Sequence, residues 1–401
     1  MTIMNRVTRL SMIIVMLLCL TSCWSRNELT ELAIVSGMAI DKEDEEYLLT
    51  VQVVNPGEIA GKTFSSRLPV TTYKATGRSI FESLRKISKE SAKRLYFSHL
   101  RMVVISEEQA KSGISKILDL MSRDHEFRTD FYTVISKDVK ASDTLNILTA
   151  IEKNPANKVF TSLEISHSYW APTLGVKLDN LISELTQQGD NPVLTGIIVK
   201  GNKEIGKTLS NVEKTETPAS LIIDHFAVFK GDKLVGWLNE DESKGHNYIT
   251  DKVESTVAVV DWEDGNITFE VRDTQTKVDA VIEDSKPKIQ VKVTTEVNVG
   301  EVQAKIDLLN ENIIEQLEEE LNRNKVSKMN QAVEKAKELK TDIFGFGEVI
   351  HREDPKLWNQ IKDKWNDEGF VNLTVDIKSD TNIRRLGSTN EPFLNEIQGG
   401  K

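Results

Sequence analysis

The chain has 401 residues, 39% of them hydrophobic and 28% charged, with a net charge of −11; this is a globular composition and excludes a disordered chain. The acidic balance argues against nucleic acid as a partner and against electrostatic adhesion to anionic lipid. The length exceeds what one ordinary core supports, so two or three domains are expected.

The chain opens with "MTIMNRVTRL", in which Arg6 and Arg9 are the only charges before Cys23. An apolar run, Leu10 to Leu20, follows. It falls well short of the roughly 20 residues that a spanning helix needs, and a short apolar run behind a basic start has the form of an export signal. The run ends in Leu20-Thr21-Ser22-Cys23, which resembles the lipobox of bacterial lipoproteins. In that chemistry the cysteine thiol takes a diacylglycerol, cleavage removes residues 1–22, and Cys23 becomes the S-diacylglycerol-modified, N-acylated first residue. The alternative is an uncleaved anchor with an incidental cysteine. Cys19, the other cysteine, lies inside the leader, so the 379-residue mature chain, with a net charge of −13, has no intrachain disulfide and depends on its core for stability.

Residues 24–31 read as a short polar tether. Glu31–Asp41 and Tyr47–Asn55 read as a close pair of strands around the acidic loop "KEDEE". Ile80, Leu84 and Ile87 have helical spacing. Leu100–Ser106 reads as a strand, and Ser106 as the N-cap of a helix whose apolar face is Ile114, Ile117, Leu118 and Met121. Phe127–Ser136 is a further strand, and "ASDTLNILTAIE" and "LDNLISELTQQG" are helices. Strand and helix alternate, the pattern of helices layered on a sheet. Residues 200–218 are polar and lack periodicity, and are expected to form a boundary or linker. Ala227–Phe229 and Leu234–Trp237 pair across Lys230-Gly231-Asp232-Lys233 as a hairpin. In "KIQVKVTTEVNVG", Ile289, Val291, Val293, Val297 and Val299 alternate with polar residues, as in a strand with one wet face. A long helix is expected from Leu308 to Lys340, with Leu309, Ile313, Leu317 and Leu321 four apart. Asp354-Pro355 caps a second helix, whose apolar face is Trp358, Ile361 and Trp365 and which Gly369 can end. Val371, Leu373, Val375 and Ile377 alternate in a last strand. The C-terminal unit therefore reads as an antiparallel sheet with two long helices on one face.

The search for chemistry returns little. None of the six histidines sits in H-E-x-x-H, and the mature chain has no free thiolate for a metal. Asp124, His125 and Glu126 are chain neighbours, which do not converge on one ion without a sharp turn, and read as a solvated loop. "GFGEV" (Gly345–Val349) lacks the spacing of a phosphate loop and reads as a turn with positive φ at Gly345 or Gly347. No G-x-S-x-G elbow is present. Acidic pairs such as Asp241/Glu242 and Asp261/Glu263 have no aromatic cluster beside them to mark a sugar cleft. No catalytic residue, cofactor or metal ligand is assigned, and the chain is not expected to be an enzyme.

"CWSRNELTELAIVSGMAID" resembles the start of the Ger(x)C family, the C-subunit lipoproteins of nutrient germinant receptors in spore-forming Bacillota. Phe226–Val253 resembles the family's middle motif, Asp342–Trp365 its C-terminal motif, and "TNIRRLG" (Thr381–Gly387) its ending. One stretch departs from the pattern: before Arg128 the family's tryptophan-rich acidic stretch is replaced by "RDHEF", so no role is carried there. The resemblance implies a mixed α/β (α+β) lipoprotein of three domains, expected at 23–200, 201–275 and 276–390 with a tail at 391–401. It also implies attachment to the outer face of the spore inner membrane, and two integral-membrane subunits, A and B, as partners. The one residue that transfers with a chemical role is Cys23. The competing reading is an exported solute-binding lipoprotein that captures a small nutrient itself.

Overall fold

The computed structural model describes residues 31–60, 67–263, 265–284 and 286–385. The first sheet contains β1 (Leu32–Glu43), β2 (Glu46–Val54), β3 (Val70–Gly77), β4 (Arg94–Tyr96), β5 (Met102–Ser106), β6 (Tyr132–Ser136), β7 (Val193–Gly201), β8 (Ala219–Lys230) and β9 (Lys233–Trp237). Their order is β3-β2-β1-β5-β6-β7-β8-β9, with β4 also beside β1. The central strands β1, β5, β6 and β7 are mutually parallel, and antiparallel hairpins flank them on both sides. Parallel neighbours need crossovers. Here those are α1 (Ile80–Ile87), α2 (Glu107–Ser112), α3 (Ser115–Arg123), α4 (Ala141–Asn146), α5 (Pro155–Tyr169) and α6 (Leu178–Thr186).

Both faces of this sheet are covered. Met102, Val103, Val104 and Ile105 are all buried, with Val103 and Ile105 in the larger core and Met102 and Val104 in a second core with Val134, Leu145 and Val159. An unbroken apolar run is what a doubly covered strand requires. Ser106 does cap a helix, its Oγ accepting from the Gln109 N–H at 3.3 Å. That helix breaks at Gly113 (φ 124) and restarts as α3. The expected helix after Ala141 stops at Asn146, and the expected strand from Phe127 begins at Tyr132. α5 was not anticipated: its start is set by Asn154, whose side chain accepts from the Ala156 and Asn157 N–H groups, with Pro155 in the first turn.

The polar stretch expected as a boundary, 200–218, does not end the first sheet, and its first two residues belong to β7. β7 and β8 pair antiparallel on either side of it. Asn211, fully buried, pins it by donating to Leu148 O (2.7 Å) and Ala219 O (3.0 Å) and accepting from the Ala219 N–H (2.8 Å). The stretch expected as a middle unit, 201–275, is thereby divided. β8 and β9 close the first sheet, α7 (Glu240–Ile249) follows, and β10 (Thr256–Trp262) and β11 (Gly265–Glu283) begin the second.

β12 (Lys286–Val302) and β13 (Thr374–Arg385) complete the second sheet in the order β10-β11-β12-β13. Between them run α8 (Glu311–Glu338), α9 (Phe346–Glu353) and α10 (Pro355–Ile361). This sheet is mixed and not the all-antiparallel sheet expected: β13 runs parallel to β12, with Ile289 opposite Val375 and Thr295 opposite Thr381. The 303–373 crossover is long and helical, which is what a parallel return needs. Trp358 and Trp365 are core residues, 1% and 2% exposed. Asp354 caps α10 as anticipated, while the turn after Ile361 tightens instead of continuing α10 as an α-helix through Trp365.

Candidate functional site

Cys23, the residue expected to carry lipid, lies outside the described residues, as do the end of the "TNIRRLG" ending and the 391–401 tail. Glu31 is the first described residue and β1 begins at Leu32, nine residues past Cys23, so chain length alone limits β1 to within about 32 Å of Cys23. Glu31 also lines a groove of about 1090 Å³ with Phe81, Arg85, Lys93 and Arg94. No helix among the described residues is long and apolar enough to cross a membrane.

The middle and C-terminal motifs are about a hundred residues apart in sequence and meet in a buried polar joint. Its centre is Asp342, 0% exposed, in the turn between α8 and α9. The carboxylate accepts from the Phe344 N–H (3.0 Å), the Gly347 N–H (2.8 Å) and Trp365 Nε1–H (2.9 Å). The Asp342 N–H in turn donates to Asn366 Oδ1 at 2.9 Å. Asn191 bridges to the first sheet: its amide nitrogen donates to Asp342 O (3.1 Å), and its oxygen accepts from the Gly231 N–H in the β8–β9 turn (2.8 Å). Thr341 Oγ1 donates to Phe229 O at 2.8 Å. The two glycines of "GFGEV" have separate jobs. Gly345 takes the left-handed conformation (φ 71) ahead of α9. Gly347 lets backbones touch, because a Cβ there would lie 2.6 Å from Gly189 Cα.

His246, on α7, closes the joint from the other side. It is 1% exposed, with Nε2 3.0 Å from Ile343 O and Nδ1 3.0 Å from Asn247 Oδ1. The Asn247 amide nitrogen donates to the carbonyls of Ala171 and Thr173, which fixes its orientation. Burial, aided by the Lys252 charge, holds the His246 pKa down to about 4, so the ring is neutral at pH 7 and donates from one nitrogen only. Burial raises Asp342 to about 6 against the N–H donors of Gly347, Trp365, Phe344 and Phe346 that lower it. Neighbouring Asp190 rises from 3.8 to about 7, first through burial and then through repulsion from Asp342 and Glu184.

Asp190 gives a signed prediction. Its folded pKa exceeds the unfolded one, so its stabilising contribution is full below pH 3.8 and is lost as pH rises through 7. The stability difference between Asp190→Asn and the parent chain is expected to grow in favour of the variant from pH 4 to pH 8. The gain is about 2 kcal/mol, below the full linkage value because the side chain is only half-buried. Urea denaturation across that range measures it, and a pH-independent difference would mean that the carboxylate is solvated.

The remaining histidines are dispersed. His125 is 93% exposed beside Asp124, His225 sits 2.8 Å from Asp224, His167 faces Glu254 at 3.6 Å, and His351 faces Glu348 at 3.6 Å. Among the described residues, no three His, Cys, Asp or Glu side chains gather as a metal site would require. Sequence reasoning singled out "GFGEV" and the two tryptophans, but it passed over Asp342, His246 and Asn191, which bind the joint together. The available signal was an aspartate five residues before a glycine within an otherwise apolar stretch.

Residues 25–199 match the family described as spore germination protein N-terminal domain, and residues 224–387 match spore germination B3/GerAC like, C-terminal. The chain is 34% identical over 388 residues to spore germination protein KC of Bacillus subtilis (strain 168), covering 94% of this chain and 95% of that protein. The chain belongs to the GerAC-like family of spore germination proteins. This agrees with the Ger(x)C resemblance read from its motifs. Spore germination protein B3 of the same organism is 24% identical, covering 92% of this chain and 94% of that protein. The crystal structure of the GerBC protein superposes with a TM-score of 0.55 at 20% identity, over 88% of this chain and 97% of that one, and so shares the fold. In this member of the GerAC-like family the boundary between the two matched regions falls on the 200–223 excursion, yet hydrogen bonding carries the first sheet across it to Trp237.

Proposed function

We propose that this GerAC-like protein is the lipid-anchored C subunit of a spore nutrient germinant receptor, held at the outer face of the spore inner membrane by acylated Cys23 and acting through contacts with the integral-membrane A and B subunits. The observation that carries the reading is the end-to-end similarity to spore germination protein KC, with 94% of the chain covered. It is joined by the basic and apolar leader that ends at Cys23. Several acyl chains at about 0.8 kcal/mol per buried methylene make a firm anchor, where one chain is marginal. The short tether keeps the first sheet near the bilayer, where membrane subunits are within reach. On this reading the protein performs no bond chemistry, and the buried joint serves to hold the two sheets as one rigid docking body.

Cys23→Ala in the full chain is expected to abolish palmitate labelling and to move the protein from the membrane fraction to the soluble one. The melting temperature should be unchanged, because no described element involves that residue. Retention in the membrane with labelling intact would overturn the anchor assignment.

A further inference from the structure

The four-residue stripe of α8 that faces the second sheet runs Leu317, Leu321, Lys325, Met329, and its lysine is 6% exposed among residues exposed 3% or less. Lys325 Nζ donates to Thr295 Oγ1 at 2.6 Å and to Thr381 Oγ1 at 2.9 Å, two hydroxyls paired across β12 and β13. Thr381 Oγ1–H donates to Asn322 Oδ1 at 2.6 Å, so the hydroxyl oxygen is committed as an acceptor toward the lysine. An ammonium has three donors, these bonds use two, and Nζ also lies 5.5 Å from the centroid of the Tyr248 ring. Among the described residues, no carboxylate lies within ion-pair distance of Lys325, whereas nearby Lys244 pairs with Glu240 and Lys328 with Asp241. A lone buried ammonium costs several kcal/mol. Burial accordingly pulls its pKa down to about 7, against a weak opposing pull from Asp380.

The lysine faces a cavity of about 180 Å³ enclosed by α7, α8, the second sheet and Trp170 from the end of α5. Its walls include Tyr248, Ala258, Val297 and Leu321. Lys244, at the same cavity, lies 4.0 Å over the Trp170 ring. We propose that this cavity is a binding site for a short aliphatic monocarboxylate, whose carboxylate is received by Lys325 Nζ and whose hydrocarbon chain lies on the Val297 and Leu321 side. The size follows from the volume: at about 30 Å³ per water, the space holds about six non-hydrogen atoms, as in butyrate. The sign of the charge follows from an ammonium that hydroxyls and a ring contact but no carboxylate neutralises. A zwitterion is disfavoured, because its own ammonium would meet Lys244 and Lys328. Since Trp170 belongs to the first sheet's layer and Lys325 to the second's, an occupant touches both. The site goes beyond the subunit reading and is independent of lipid attachment.

The test is calorimetric titration of the detergent-solubilised full chain with acetate, propionate, butyrate and L-alanine. One-to-one saturable binding is expected for butyrate, weakening toward acetate and at least tenfold weaker for L-alanine. Lys325→Met should lose at least tenfold in butyrate affinity while melting at or above the parent temperature. Ala258→Leu reaches the same cavity from β10, where Ala258 pairs with buried Phe269, and should lose binding with Lys325 intact. That second variant carries the test if Lys325→Met does not fold. Absence of saturable binding by any of the three acids, equal affinity for butyrate and L-alanine, or butyrate affinity unchanged in Ala258→Leu would each overturn the proposal.

Discussion

Gly245→Ala is expected to lower stability by about 3 kcal/mol, although helix propensity alone predicts a gain of up to about 1 kcal/mol. Gly245 lies in the middle of α7, where that helix crosses α8 at backbone contact. A Cβ at this position would fall 2.2 Å from Lys328 O and 3.0 Å from Met329 Cα. Both neighbours are backbone atoms in a 28-residue helix and cannot rotate away, so the helices must separate. Separation would draw His246 from Ile343 and Asn247 from Ala171, because all of them hang on the same turn of α7. Thermal denaturation followed by circular dichroism reads the effect as a drop of about 4 °C in Tm. An unchanged or raised Tm would mean that propensity wins and that the helix crossing is slack.

Asp342→Ala should cost about 3–5 kcal/mol, the second large effect. Three buried donors, the Phe344 and Gly347 N–H groups and Trp365 Nε1–H, would lose their only carboxylate acceptor, at about 1–3 kcal/mol each. Part of that loss is offset at high pH. The folded pKa of about 6 stands above the ordinary 3.8, so the aspartate's contribution is full below pH 3.8 and declines as pH rises through 6. The destabilisation is therefore expected to be larger at pH 5 than at pH 8. A urea-denaturation pair at those two pH values measures it, and the reverse order would show that the three donors hold the carboxylate charged at no cost. Asn191 is held by the Asp342 backbone carbonyl, which the variant keeps, but the carboxylate fixes the turn that presents that carbonyl, so its loss should also loosen contact between the sheets, seen as faster hydrogen exchange at Gly231.

Much of the fold was legible because the relevant forces are local or strictly periodic. The alternation of Ile289, Val291 and Val293 marks one face of a strand whatever lies opposite it, and all three are buried. Asp354 ahead of Pro355 caps a helix through bonds within three residues. Positive φ in "GFGEV" needs only a residue without a Cβ. The failures share a different cause. The helix at 155–169 has few apolar positions in register, only Val159 and Leu163 with Pro155 and Ala156 being buried, so its period is weak. The polar 200–218 stretch looks like a linker until Asn211 is seen to tie it down with bonds to residues 8 and 63 positions away. The joint escaped notice because its members, Asn191, His246, Asp342 and Asn366, are scattered over more than 170 residues and each looks ordinary alone.

By itself the sequence determined the identity of most of the strands and of the capped or strongly periodic helices, the family, and the position of the one residue with expected chemistry, Cys23. Each of these is written in contiguous residues: a leader, a cap, a period, a motif. Only the tertiary structure decided that β13 returns parallel to β12, that the stretch 201–275 is shared between two sheets, and that Lys325 sits in a core stripe with hydroxyl partners and no carboxylate. Strand direction, sheet membership and the charge partner of a buried group are relations between distant segments. They are set by which apolar faces and polar atoms can be satisfied together, and no local pattern encodes that.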